Sequence, residues 1–148
     1  MHGINKEQKK EVIKLTKELV DIPSSVDDKP EIYDFVLAYL RDRGIAAKKD
    51  MNPLTGKPNI YAQLGNREGP KIMVNGHLDT VTPMKIRKEK VKHKKDYLYG
   101  VGAADMKAGC AAIMTAVEAV SKEEINGTLF LSMVHGEEAP FSLGSHHL

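Results

Sequence analysis

ADMKAGCAAIMTAVEAVSKEEINGTLFLSMV, residues 104–134, changes its hydrophobic period partway along. Met106, Cys110, Ile113, Val117 and Val120 fall on one helical face among abundant alanines, so the spacing predicts an amphipathic helix. INGT then turns the chain, and LFLSMV reads as a continuously apolar strand. A helix feeding a buried strand is the repeating unit of a layered α/β fold.

Upstream, NIYAQLG (59–65) alternates Ile60, Ala62 and Leu64 as a half-buried strand does. GNREGP (65–70) turns the chain into KIMV (71–74), a shorter apolar strand, and the two read as a hairpin. MKIRKEKVKHKKDYLYG (84–100) predicts two short strands around a KKD turn. Toward the N-terminus, Val12, Ile13, Leu15, Leu19, Val20 and Ile22 recur near helical spacing up to Pro23. A second helix is expected from DDKPE onward. Asp28 serves as its cap, Pro30 suits its first turn, Ile32, Val36 and Leu40 form its stripe, and Gly44 stops it.

Bulk composition bounds the function classes. The 148 residues suit one domain, and 41% hydrophobic with 28% charged residues is ordinary for a globular protein. A net charge of +2 gives no general attraction to nucleic acid or anionic membrane. The single cysteine, Cys110, allows no internal disulfide and suits a reducing cytoplasm. The opening MHGINKEQKKEVIKLTKELV is too charged for a signal peptide or a membrane span, so a cytoplasmic location is the expectation.

Three segments set polar residues at the end of an apolar element: NGHLDTV (75–81), YGVGAADMKAG (99–109) and MVHGEEAP (133–140). Sites in open α/β sheets gather where strands end and helices begin, so all three are expected on one rim. Singly, each has a plain explanation: a hydrogen-bonded surface histidine, a helix cap at Asp105, a solvated pair of glutamates. Jointly, they match the needs of hydrolytic zinc. Imidazole and carboxylate are zinc ligands. A carboxylate bridging two ions about 3.5–4 Å apart permits a shared water, and a second carboxylate can take that water's proton. Adjacent glutamates diverge, so one can bind metal while the other faces water. Asp79, two residues beyond His77, is placed to hold the imidazole ring.

GHLDTV, LYGVGAADMKAG and GEE occur in an order and at separations that resemble the co-catalytic zinc metallopeptidase and deacylase family. That family includes acetylornithine deacetylase, succinyl-diaminopimelate desuccinylase, aminoacylase and glutamate carboxypeptidases. LVDIPS (19–24) and EIYDFVLAYLRDRGI (31–45) resemble its opening, so the similarity covers nearly the whole chain. It implies a three-layer α/β/α fold with a mixed sheet, of the zinc-exopeptidase type, here cut after about the first half of the catalytic domain. It implies two Zn2+ ions per complete site, with Co2+ or Mn2+ as alternatives. His77 would bind one ion, Asp105 would bridge both, Glu138 would bind the second, Asp79 would clamp His77, and Glu137 would be the general base. The Asp105–Met106 bond would be a cis peptide. The substrate would be an N-acyl amino acid or small peptide.

The resemblance also implies ligands and a lid or dimerisation domain lying beyond residue 148. Each zinc is then one ligand short in this chain, and the tail histidines, His146 and His147, read as exposed rather than as substitutes. An unfilled sheet edge predicts a homo-oligomer, or association with a C-terminal half. His135 stands where the family often has aspartate, Val101 where arginine is common, and APF (139–141) lengthens the spacing after the glutamates. Cys110 and Lys107 are assigned no chemistry: helix core and helix surface.

Three other readings compete. A dinucleotide site at YGVGAAD is disfavoured because Asp105 replaces the third glycine and would repel a pyrophosphate. Nucleic-acid binding by KIRKEKVKHKK is disfavoured because that run lacks stacking aromatics. A non-catalytic remnant, or one piece of a split deacylase, shares every motif with the active enzyme and is separable only by metal content and turnover.

Overall fold

The computed structural model describes residues 4–25, 27–29, 31–66, 68–82, 91–138 and 142–147. Helix α1, Lys6–Asp21, begins with a capping box in which Asn5 and Gln8 each accept the other's backbone N–H. It buries Leu15, Thr16 and Leu19, leaves Ile13 exposed, and ends at the extended Ile22 before Pro23. Helix α2, Glu31–Asp42, buries Ile32, Tyr33, Val36, Tyr39 and Leu40 and stops at Gly44, whose φ of 75° suits glycine. Asp28 is not its cap: that carboxylate accepts from Ser25 N and Ser25 Oγ, both at 2.7 Å. Pro30 lies outside the described residues, as do the basic residues 85–90 and the APF segment.

Strands β1 (Ala47–Met51), β2 (Pro58–Gly65), β3 (Lys71–His77) and β6 (Thr128–Val134) form one mixed sheet in the order β1-β2-β6-β3. β4 (Lys92–Lys94) and β5 (Tyr97–Tyr99) pair separately around Lys95 and Asp96, as expected. The expected β2–β3 hairpin does not form. β6 inserts between them, antiparallel to β2 and parallel to β3. The physical reason is apolarity on both faces: Leu131, Ser132, Met133 and Val134 are all at most 1% exposed, which only a central strand achieves. β1 was not anticipated, because AKKDM is mostly polar and buries only Ala47.

Ile60 and Ala62 of β2 stand beside Met133 and Leu131 of β6, and this face meets the three long helices in one core with Leu15, Leu19, Val36, Leu40 and Met114. Against the opposite face sits α4, Leu143–His146. Asn59 Nδ2, from that face, donates to Gly144 O at 3.0 Å, and Asn75 Nδ2 donates to Ser145 Oγ at 3.4 Å. The result is the expected α/β/α layering around a mixed sheet. The long helix α3 spans Ala108–Val120 and starts later than its periodicity suggests. An irregular turn, Ala103–Lys107, precedes it, and Asp105–Met106 is a cis peptide. The N-cap of the turn is Gly102 and that of α3 is Lys107, so Asp105 is not a helix cap. No helix among the described residues is long and apolar enough to cross a membrane.

Candidate metal centre

Because β3 and β6 are parallel and paired through His77 and Val134, they end side by side, and Leu78 N donates to Val134 O at 2.9 Å. Their continuations, 77–80 and 135–138, emerge together at the carboxyl ends of the strands, where open α/β sheets place sites. The turn before α3 brings Asp105 to the same rim. His77 Nε2 lies 3.1 Å from Asp105 Oδ1 and 3.7 Å from Glu137 Oε2. Donor atoms of His77, Glu137 and Glu138 all lie within 4.8 Å of one another. His77 is buried, the glutamates are half-buried, and the Asp105 side chain is 75% exposed.

The other side of the imidazole is pinned. His77 Nδ1 is 3.0 Å from the Asp79 carbonyl oxygen, an acceptor, to which it donates, while Nε2 faces the rim 3.1 Å from Asp105 Oδ1, where a cation would take its lone pair. The Asp79 carboxylate, expected to make this clamp, sits 3.7 Å from Nδ1. β3 ends at His77, so the two side chains do not share a pleat. Asp79 Oδ2 instead accepts from Glu138 N at 3.0 Å, and its buried Oδ1 has no hydrogen-bond partner among the described residues. Asp79 thus fastens the glutamate loop to the histidine segment.

Burial, then the carboxylates of Asp105, Glu137 and Asp79, push the Glu138 carboxyl above its ordinary range, with His77 opposing. Four carboxylates around one imidazole are an excess of negative charge that a divalent cation neutralises. The donor set, oxygen with one imidazole nitrogen, suits zinc, cobalt or manganese. A cavity of about 710 Å³ opens beside these groups, walled by Thr80, Val81, Val101, Ala104, Asp105 and Glu138. Gly102, at φ 74°, passes so close to this wall that a Cβ there would lie 2.4 Å from Thr80 Cγ2.

Three neighbouring side chains differ from expectation or went unnoticed. Lys107, read as helix surface, is 1% exposed; its Nζ donates to Leu19 O at 2.8 Å and Ile22 O at 2.7 Å, and burial lowers its pKa to about 8. The irregular turn before α3 carries Lys107 inward. His135 points away from the rim. Its Nδ1 meets the Tyr33 hydroxyl at 2.5 Å, burial lowers its pKa, and burial raises that of Tyr33, so the hydroxyl donates to a neutral ring. Nothing in the sequence linked Tyr33 to this position. The tail is no loose end either. Asn52 Nδ2 donates to Leu143 O at 3.0 Å, and His147 Nε2 lies 3.5 Å from Asp50 Oδ2, apart from the donor cluster, while His146 is exposed. Cys110 is core, as read: its Sγ donates to His77 O at 3.1 Å, and burial pushes the thiol up to about 12.

Comparison with known proteins gives a match to Peptidase family M20/M25/M40 over residues 73–148. A succinyl-diaminopimelate desuccinylase of Pelagibacter ubique is 36% identical over 137 residues, covering 85% of this chain and 35% of its own. The crystal structure of a tripeptidase from Staphylococcus aureus superposes with a TM-score of 0.77 at 27% identity, over 95% of this chain and 39% of its own. A family M20 metallo-carboxypeptidase of Sulfolobus solfataricus shares the fold, with a TM-score of 0.76 at 22% identity over 89% and 32% of the two chains. The chain spans about a third of the length of the curated relatives it matches.

Proposed function

The chain belongs to peptidase family M20/M25/M40, and on that premise we propose that it forms the N-terminal part of a single catalytic domain that hydrolyses amide bonds with divalent metal. The reading is a deacylase or exopeptidase acting on N-acyl amino acids or small peptides, in line with the desuccinylase and tripeptidase it resembles. The observation that carries it is the convergence of His77, Asp105, Glu137 and Glu138 at the adjacent ends of β3 and β6.

His77, Asp105 and Glu138 would hold the metal, with Asp105 placed to serve both ions. Zinc, Co2+ or Mn2+ held by these residues would supply Lewis acidity toward an amide carbonyl and toward the attacking water. Glu137 takes the proton from that water and returns it to the leaving nitrogen. The Asp79 carbonyl keeps the His77 lone pair directed at the rim, and the Asp79 carboxylate holds the glutamate loop in place. The cavity beside Asp105 and Glu138 receives part of the substrate. The single buried thiol suits a cytoplasmic location.

A second reading concerns assembly. Among the described residues β3 has β6 on one side and no strand on the other, and Ile72 and Met73 are 61% and 53% exposed. Such an edge favours association with another copy or with a separate remainder of the domain.

Metal analysis combined with hydrolysis assays tests the proposal. Near two zinc ions per site, with release of amino acid from N-acyl amino acids or short peptides, is the expected result. Absence of both zinc and turnover in the purified protein would sink it and favour a non-catalytic remnant.

A further inference from the structure

The segment Leu19–Ser25, which carries none of the candidate ligands, touches two of the three pieces of chain that do: the one with His77 and the one with Asp105. On one side, Ser24 Oγ donates to Leu78 O at 2.7 Å and Thr80 N donates to Ser24 O at 3.1 Å, which secures the stretch holding His77 and Asp79. On the other side, the buried Lys107 ammonium donates to Leu19 O and Ile22 O, and Lys107 N donates to Gly102 O at 2.9 Å. The approach is close throughout: a Cβ on Gly100 would lie 2.2 Å from Val20 Cγ1.

We propose that Lys107 is a positioning residue for the metal centre, tying the turn that presents Asp105 to the end of α1 so that Asp105 and His77 keep their separation. Burying an ammonium is costly unless it is fully engaged, and an apolar side chain would fill the space more cheaply. What the ammonium adds is attraction to carbonyls left unpaired at a helix C-terminus, where the helix dipole also favours a cation. Ile22 O, just past the helix, is such a carbonyl, and Leu19 O in the last turn takes the ammonium beside the long 3.3 Å bond from Ile22 N. Among the described residues the ammonium meets carbonyl oxygens rather than a carboxylate, so its role is attachment and not charge pairing. His77 is held to one end of the same segment and Asp105 to the other; releasing either tie lets the two ligands drift apart.

This inference rests on the metal-site reading above. The test is zinc affinity of the 148-residue chain, by competition with a chelator at a temperature where every variant is folded by circular dichroism. Lys107→Met is expected to weaken binding by about tenfold or more, as loss of groups that orient ligands does. Ser24→Ala, which cuts the opposite tie, shifts affinity in the same direction and serves if Lys107→Met does not fold. Val36→Ala, a core change in α2, lowers stability without changing zinc affinity. Affinity of both tie variants within twofold of wild type would overturn the proposal. A wild-type chain that binds no zinc defeats the metal reading instead, and amide exchange then decides the tie. Exchange at Leu78 and Thr80 must be faster in Lys107→Met than in Val36→Ala of matched stability, and equal rates reject it.

Discussion

His77 Nδ1 lies 3.0 Å from the carbonyl oxygen of Asp79 but 3.7 Å from that residue's carboxylate, so the main chain and not the side chain is the hydrogen-bond partner on that side of the ring. Asp79→Asn should therefore leave the hydrogen on Nδ1, as nitrogen NMR of the ring can read. Asparagine can still accept from Glu138 N, so only the charge is lost and metal affinity should fall modestly. Asp79→Ala removes the acceptor for Glu138 N and should weaken zinc more, by about 10–100-fold. A tautomer change in Asp79→Asn would assign the clamp to the carboxylate after all.

How much of this was legible in the sequence depends on the range of the interaction. Helical periodicity revealed α1, α2 and α3, and the apolar run revealed β6, because each signal is local. The β2–β3 hairpin was misread because a short turn is also local, while the insertion of β6 from more than fifty residues away is not. β1 carried no signal, since an edge strand that buries one alanine needs no apolar pattern. His77, Asp105, Glu137 and Glu138 were legible as residue types beside strand ends and a helix start. The inward turn of Lys107 and the pairing of Tyr33 with His135 were not, because both depend on tertiary approach across roughly a hundred residues of chain.

Glu137 and Glu138 can be separated by experiment. Glu137 is assigned as the base although its carboxylate lies in the same donor cluster as His77 and Glu138. Glu137→Gln should leave zinc content unchanged and cut kcat by about 10²–10⁴ at similar KM. Glu138→Gln should lower zinc occupancy, with activity falling in proportion. Loss of zinc from Glu137→Gln would exchange the two roles.

The Tyr33 hydroxyl donates to a His135 ring that is 3% exposed, and the pair links α2 to the strand end that launches the glutamates. Tyr33→Phe keeps the ring packing but leaves His135 Nδ1 buried and unpaired. The expected cost is about 1–3 kcal/mol in urea unfolding. A change below about 0.5 kcal/mol would mean that the histidine finds another donor.

The last prediction concerns the far side of the helical layer, where Glu118 joins α3 to the end of α2. Arg43 Nε donates to Glu118 Oε2 at 2.8 Å, Lys122 Nζ donates to Glu118 Oε1 at 2.9 Å, and the guanidinium lies 3.5 Å from the Tyr39 ring centroid. Burial would raise the Glu118 pKa, but the hydrogen bonds from Lys122 and Arg43 outweigh it and hold the carboxyl below its ordinary value. A depressed folded-state pKa means that the unfolded chain takes up the proton first as pH falls. The stabilisation is therefore complete above the ordinary glutamate value of about 4.3 and is lost as pH drops through the lower folded value. Glu118→Gln should cost about 1–2 kcal/mol at pH 7, allowing for partial exposure of the pair, and the gap to wild type should close in acid. Urea unfolding of both proteins at neutral and acidic pH measures this, and a gap that persists unchanged in acid would show that glutamine loses packing and not charge.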